Sequence, residues 1–181
     1  MLNKKNFYIN GKWVSPIEPR SYKVIDPSNE ESCAEISLAG KKDVDKAVSA
    51  AKKAFEPWAF TKKEERLELL EKLYVIYKKR WAEMAKLISM EMGAPMKFST
   101  EMQAATGASH IKSFKNILKD FKFEKDLGEE KNNQKLLYEP KGVCALITPW
   151  NWPINQVNLK VIPALASACT VILKPSEVAP L

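Results

Sequence analysis

The chain has 181 residues, of which 45% are hydrophobic, 28% charged and 9% aromatic, with a formal net charge of +7. That length allows one ordinary domain or parts of two, and the apolar share supports a buried core rather than a disordered chain. Only Arg20, Arg66 and Arg80 are arginines, and the lysines interleave with Asp and Glu, so the positive charge reads as a solvated surface and not as a nucleic-acid face.

In chain order, Phe7 to Val14 is two β-prone runs around Asn10-Gly11, the dipeptide of a type I′ hairpin. Val24 to Pro27 closes a second extended piece, and Cys33 to Ile36 forms another short strand. A helix begins near Asp43, with Val44, Ala47, Val48, Ala51 and Phe55 on one face, and Pro57 stops it. A longer helix follows, opened by a capping box of Thr61 and Glu64 and closed by Gly93 and Pro95. Its inner face is Leu67, Leu70, Tyr74, Tyr77, Trp81, Met84 and Ile88. A third helix runs from about Lys97 towards Phe121, with Met102, Ala105, Ile111, Phe114, Leu118 and Phe121 inward. Lys122 to Lys135, carrying Gly128 and Asn132-Asn133, reads as an exposed turn or linker.

After Lys135 the charges thin out and the pattern becomes strand, helix, strand: Val143 to Ile147, Pro153 to Ala168, Thr170 to Leu173. This order implies a right-handed crossover between parallel strands buried on both faces. The run Val161 to Leu173 is 13 residues with Pro163 inside it, too short to span a bilayer, and no signal-peptide stretch opens the chain, so the reading is a cytoplasmic protein without membrane contact. Cys33, Cys144 and Cys169 are odd in number and widely spaced, and His110 stands alone, which supports neither a disulfide framework nor a metal site.

Ligands of open α/β sheets bind beyond the carboxyl ends of the strands. Two segments leave such ends here: Thr148-Pro149-Trp150-Asn151-Trp152-Pro153, and Lys174-Pro175-Ser176-Glu177. If the strands are neighbours, Asn151, Lys174 and Glu177 line one crevice. A carboxylate and an ammonium with two residues between them suit a ribose diol; they equally suit a surface ion pair at the start of a helix capped by Ser176. An amide at Asn151 can donate to a developing oxyanion, or it can cap the helix that Pro153 opens.

Leu146 to Pro153, Lys160, Pro163-Ala164-Leu165-Ala166 and Thr170 to Glu177 resemble the NAD(P)-dependent aldehyde dehydrogenase family. Tyr8 to Val14, Asp26-Pro27, Asp43 to Val48, Trp58, Arg66 and Glu91 to Pro95 are similar to its N-terminal pattern, so the likeness extends over essentially the whole chain. It implies an α/β fold: the N-terminal part of an aldehyde dehydrogenase-like fold, with helices and the first strands of a parallel Rossmann-type nucleotide-binding sheet. Residues 1–134 would be the hairpin and helical part, and residues 135–181 the first βαβ unit.

By the same resemblance Asn151 is the amide of the oxyanion hole and Lys160 a supporting residue near the active site. Lys174 and Glu177, with Pro175 and Ser176 between them, hold the adenosine ribose, and Ile147, Thr148, Pro149 and Trp150 line the pyrophosphate and nicotinamide path. The carboxylate of Glu177 favours NAD over NADP, because it would repel a 2′-phosphate. The implied partners are a small-molecule aldehyde and further copies of the chain, as a homodimer or homotetramer. One departure is Ala168, where the family has Gly; if that position needs positive φ, alanine costs about 1 kcal/mol.

The family's nucleophilic cysteine and general-base glutamate lie downstream of the Lys-Pro-Ser-Glu segment, and neither occurs before Leu181. None of the three cysteines matches the nucleophile. The expectation is therefore an N-terminal fragment (a truncation, a partial record or an interrupted reading frame), inactive alone, with one open apolar sheet edge and weak nucleotide binding at best. The alternative is a non-catalytic remnant that acts as a binding or interaction protein.

Overall fold

Asn10 and Gly11 both adopt positive φ, 53° and 73°, as a type I′ turn demands. They join β2 (Phe7–Ile9) to β3 (Lys12–Val14) in an antiparallel pair. The computed structural model describes residues 1–128 and 134–181. Before the hairpin lies β1 (Leu2–Lys4), and after it β4 (Ser21–Asp26) and β5 (Glu31–Ser37). These three make a mixed sheet in the order β1-β5-β4, with β1 parallel and β4 antiparallel to β5. The strand β1, rich in polar residues, escaped the sequence reading.

Helix α1 (Lys41–Ala59) starts two residues before the expected point. Asp43 explains the shift: it is buried at the third helical position, where its carboxylate accepts from Gly40 N at 3.0 Å and from Ile17 N at 2.9 Å. The second bond ties the preceding loop to the helix and, as the larger cause, holds the Asp43 carboxyl below its ordinary range. Pro57 does not stop α1 but sits in its last turn. Val44, expected inside, is exposed, while Ala51 is buried.

The expected long helix is two. Helix α2 (Lys63–Lys79) ends at Arg80, whose φ of −100° and ψ of 12° break the run, and α3 (Trp81–Met92) begins directly after it. Trp81 drives the bend, since its indole N–H donates to Thr100 O at 3.1 Å while its ring meets Tyr77 edge-on. The capping box is shifted by one residue: Glu65, not Glu64, accepts from Lys62 N, and Thr61 Oγ1 donates to Trp58 O. Gly93 ends α3 at a φ of 73°, as expected.

The third helix is interrupted near its start. After α4 (Met96–Phe98), a π-helical turn over Ser99–Gln103 precedes α5 (Ala104–Asp120). A widened turn carries an extra residue and rotates the inner face. Met102, expected inside, is therefore 50% exposed, and Gln103 and Ala104 are buried instead. The expected linker is a short antiparallel pair, β6 (Glu124–Asp126) with β7 (Lys135–Leu137). Arg66, buried on α2, stacks over Phe123 at 4.9 Å and anchors the near end of that pair. Asn132-Asn133 lies outside the described residues.

The last unit, β8 (Val143–Ile147), α6 (Pro153–Ala166) and β9 (Thr170–Lys174), has the expected parallel pairing. Burial on both faces is not complete: Ile147 is 69% exposed and Leu173 is exposed at the carboxyl ends, beyond the reach of the helices packed on this two-stranded sheet. Ala168 has a φ of 61°, so the position does require the left-handed region. It closes α6 in a Schellman arrangement, Cys169 N donating to Ala164 O and Ala168 N to Leu165 O. The strain of about 1–2 kcal/mol is partly offset by burial of the methyl group, worth about 0.8 kcal/mol.

Two cores result. Leu70, Tyr77, Ala108, Ile111, Leu118, Ile162 and Ala166 join α2, α5 and α6, while Val24, Ala34 and Ile36 sit under the mixed sheet. A Cβ on Gly93 would stand 2.6 Å from Pro27 Cγ, where the turn after β4 meets the end of α3. Gly93→Ala is therefore expected to lower stability by at least about 2 kcal/mol, from overlap added to left-handed strain. Urea unfolding measures this; an unchanged midpoint would contradict it.

Candidate functional site

The register of β8 and β9 sets the geometry of the site. Ile147 pairs with Lys174, and Thr148 N donates to Lys174 O at 3.2 Å, so both strands end at the same level. The loop Pro149–Trp152 and the segment Pro175–Leu181 leave from one edge. Thr148 is buried under that edge; Ile147, Trp150 and Asn151 are exposed on it. Thr170 Oγ1 donates to Ala51 O at 2.9 Å and fastens the start of β9 to α1.

Asn151 does not cap α6. The N-cap is Trp152, with no side-chain cap bond, and Pro153 occupies the first turn, where its missing N–H costs nothing. The loop is held from the other side. Trp152 Nε1 donates to Thr106 Oγ1 at 3.2 Å and its ring meets Phe98 edge-on at 5.6 Å. His110 Nε2 donates to Asn155 Oδ1 at 2.7 Å, and the buried Asn158 Nδ2 donates to Gly107 O at 3.0 Å. These bonds from α5 fix the first turns of α6, and none of the residues on α5 was singled out from the sequence as a functional residue. Lys160, two turns further along α6, donates to Gln156 Oε1 at 3.3 Å.

Lys174 Nζ and Glu177 Oε2 are paired at 2.7 Å with both side chains exposed. The hydrogen bond from Lys174 is the main reason the Glu177 carboxyl titrates below its ordinary range. Ser176 Oγ accepts from Val178 N at 3.2 Å, closing a tight turn and capping no helix. Further along, Leu181 N donates to Glu91 Oε2 at 2.6 Å across 90 residues of sequence. Glu91 is 3% exposed on α3, and burial pushes its carboxyl up to about 7. Nearby on β5, burial raises the Cys33 thiol as well, with the charges of Asp26 and Glu91 acting in the same direction. Among the described residues no group of three or more His, Cys, Asp and Glu could hold a metal, and no helix is long and apolar enough to cross a membrane.

The aldehyde dehydrogenase family profile matches residues 13–181. The chain belongs to the aldehyde dehydrogenase family. It is similar to 3-succinoylsemialdehyde-pyridine dehydrogenase from a Pseudomonas species, 46% identical over 181 residues that cover 99% of this chain and 37% of that protein. A crystal structure of an aldehyde dehydrogenase from Bartonella henselae superposes with a TM-score of 0.97 at 56% identity, over 99% of this chain and 38% of the other. A mutant of aldehyde dehydrogenase C from Pseudomonas syringae, solved with NAD+ and octanal, gives 0.94 at 41% identity over 98% and 36%. Betaine aldehyde dehydrogenase from Staphylococcus aureus with NAD+ gives 0.91 at 28% identity over 100% and 37%. The chain thus spans little more than a third of the length of the relatives it matches, and its fold is the N-terminal portion of theirs.

Two measurements test this part of the family fold. A Cβ on Gly107 would overlap the Tyr77 hydroxyl and stand 2.9 Å from Ile154 Cγ1, where α5 and α6 approach most closely. Gly107→Ala is expected to cost about 2 kcal/mol, since overpacking exceeds the roughly 1 kcal/mol of added helix propensity; thermal unfolding checks this. Glu91 titrates at about 7 when folded against 4.5 for the free group, so between those values the folded state keeps a proton that the unfolded state has lost. Its contribution is fully present below 4.5 and is lost as pH rises through about 7, a difference of about 3 kcal/mol. Urea unfolding of Glu91→Gln against the parent, at about pH 5 and about pH 8, should show the variant gaining relative stability at the higher pH.

Proposed function

We propose that this chain forms the cofactor-binding and oxyanion-stabilising part of an NAD-dependent aldehyde dehydrogenase, which oxidises an aldehyde to a carboxylic acid. In this reading residues 1–134 form the hairpin and helical part, and residues 135–181 open a Rossmann-type nucleotide sheet. One observation carries it: the pairing of Ile147 with Lys174 sends the Asn151 loop and the Lys174–Glu177 segment off the same carboxyl edge of a parallel sheet.

The residues at that edge fit a dinucleotide. An ionised carboxylate and an ammonium stand side by side and exposed, the first able to accept from a ribose diol and the second to donate to it. The negative charge of Glu177, kept ionised by Lys174, disfavours a 2′-phosphate and so favours NAD over NADP. Ile147 and Trp150 offer exposed apolar surface on the same edge, with Thr148 and Pro149 between them. When bound, NAD supplies the hydride acceptor.

Asn151 donates its amide to the aldehyde oxygen as negative charge develops there; the helix cap does not consume it, and α5 holds its loop through Trp152 and Asn155. Lys160, held by Gln156, supports the same end of α6. The thiols of this chain do not serve as nucleophile. Cys33 and Cys144 are pushed up by burial. Burial also pushes Cys169 up; hydrogen bonds from the Gly142 backbone and Ser167 outweigh it, yet the thiol stays buried at the junction of α6 and β9. A low-pKa thiol needs access as well as a favourable field.

Two assays test the proposal. The 181-residue chain alone is expected to produce no NADH from any aldehyde; turnover by the chain would overturn the exclusion of its cysteines. A chimera in which this chain replaces the matching residues of the Bartonella henselae enzyme is expected to oxidise aldehydes. In it, Asn151→Ala should lower kcat about 10²–10³-fold with little change in KM for NAD+. A chimera that folds but shows no activity would favour a non-catalytic binding role.

A further inference from the structure

The segment after β9 carries Glu177. Its near end is set by the last β9 pair, Ile147 with Lys174, and by the turn that Ser176 closes. Its far end is held by packing and by one polar side chain from a distant part of the fold. Ala179 and Glu91 are both buried, Leu181 packs on the Val24, Ala34 and Ile36 core, and Leu181 N donates to Glu91 Oε2 at 2.6 Å. Among the described residues Glu91 makes no ion pair, and the Leu181 amide is its hydrogen-bond partner. A buried carboxyl oxygen left without a donor is costly, and the Leu181 amide supplies that donor.

We infer that Glu91 is a positioning residue for the cofactor ribose site: by gripping the Leu181 amide it fixes the course of residues 175–181 and so holds Glu177 beside Lys174. The inference rests on the proposed role of Lys174 and Glu177. Glu91 touches neither cofactor nor substrate in this account. Its effect is to restrict the course of residues 175–181, so that the Glu177 carboxylate does not have to be ordered when ligand arrives.

Two variants of the 181-residue chain separate positioning from plain structural support. Glu91→Gln keeps an acceptor oxygen at the same place. Glu91→Leu removes the acceptor and puts an apolar side chain of similar size beside the core under the mixed sheet, which that site accommodates. Hydrogen exchange of the amides of Glu177, Val178, Ala179 and Leu181 is the first readout. They are expected to lose about tenfold of their protection in Glu91→Leu and to stay near the parent in Glu91→Gln. Unchanged protection in Glu91→Leu would overturn the inference. The second readout is NAD+ itself, titrated by NMR, with an apparent Kd expected to rise about tenfold in Glu91→Leu and to be rescued in Glu91→Gln. If protection falls as expected while the NAD+ Kd of Glu91→Leu does not move, the grip on the segment stands and its role at the ribose site is overturned; the assignment of Lys174 and Glu177 falls only if Glu177→Ala also leaves that Kd unmoved. If neither readout moves, the positioning role fails by itself.

Discussion

The approach of α5 to α6 at Gly107 is the constraint on which the candidate site depends. With no side chain there, the Tyr77 hydroxyl from α2 and Ile154 from α6 fill the space, and Tyr77 donates to Ala104 O at 2.8 Å inside the same contact. Only at this separation can Asn158 reach Gly107 O, His110 reach Asn155 and Trp152 reach Thr106. Each bond fixes one of the first two turns of α6, or the loop before it. The Asn151 loop therefore inherits its position from helix packing and not from its own short sequence. Rigid support of this kind is what an oxyanion donor needs, because the donor must already point where charge will develop.

The second constraint is the strand register. A slip of one residue between β8 and β9 would turn Lys174 to the other face and part the two loops. Thr170, bonded to α1 through Ala51 O, and the Schellman closure at Ala168 pin β9 from the start, before the register can drift. Alanine at a φ of 61° is tolerated because its methyl is fully buried in the same turn. Local strain is accepted where packing over-determines the backbone.

Glu91 shows how a buried charge can be retained at a cost in stability. Replacing such a group by an apolar side chain often stabilises a fold. Here the carboxyl group spans from α3 to Leu181 and lies beside the core under the mixed sheet, so it links the N-terminal sheet to the segment that leaves β9. The two clusters are separate, and this bond joins α3 to the segment after β9 beside the smaller of them.

The sequence by itself determined the hairpin turn at Asn10-Gly11, where most of the helices lie, the parallel β8-α6-β9 unit and, by resemblance, the family, because turn chemistry, hydrophobic period and dense local motifs are short-range signals. It placed Asn151, Lys174 and Glu177 at strand ends, but it left open whether each was a cap, a surface pair or a ligand group. Only the tertiary structure decided that Asn151 caps nothing, that Lys174 and Glu177 pair with each other, and that Arg80 and the Ser99–Gln103 turn break helices whose periodicity looked continuous. It also decided the partners of Gly107, His110 and Glu91, which lie 45 to 90 residues from the groups they hold in the cases of His110 and Glu91. The reason is physical: a carboxylate or imidazole on a helix has the same local pattern whether it faces water or a buried amide, and only the packing of distant elements sets which of the two it meets.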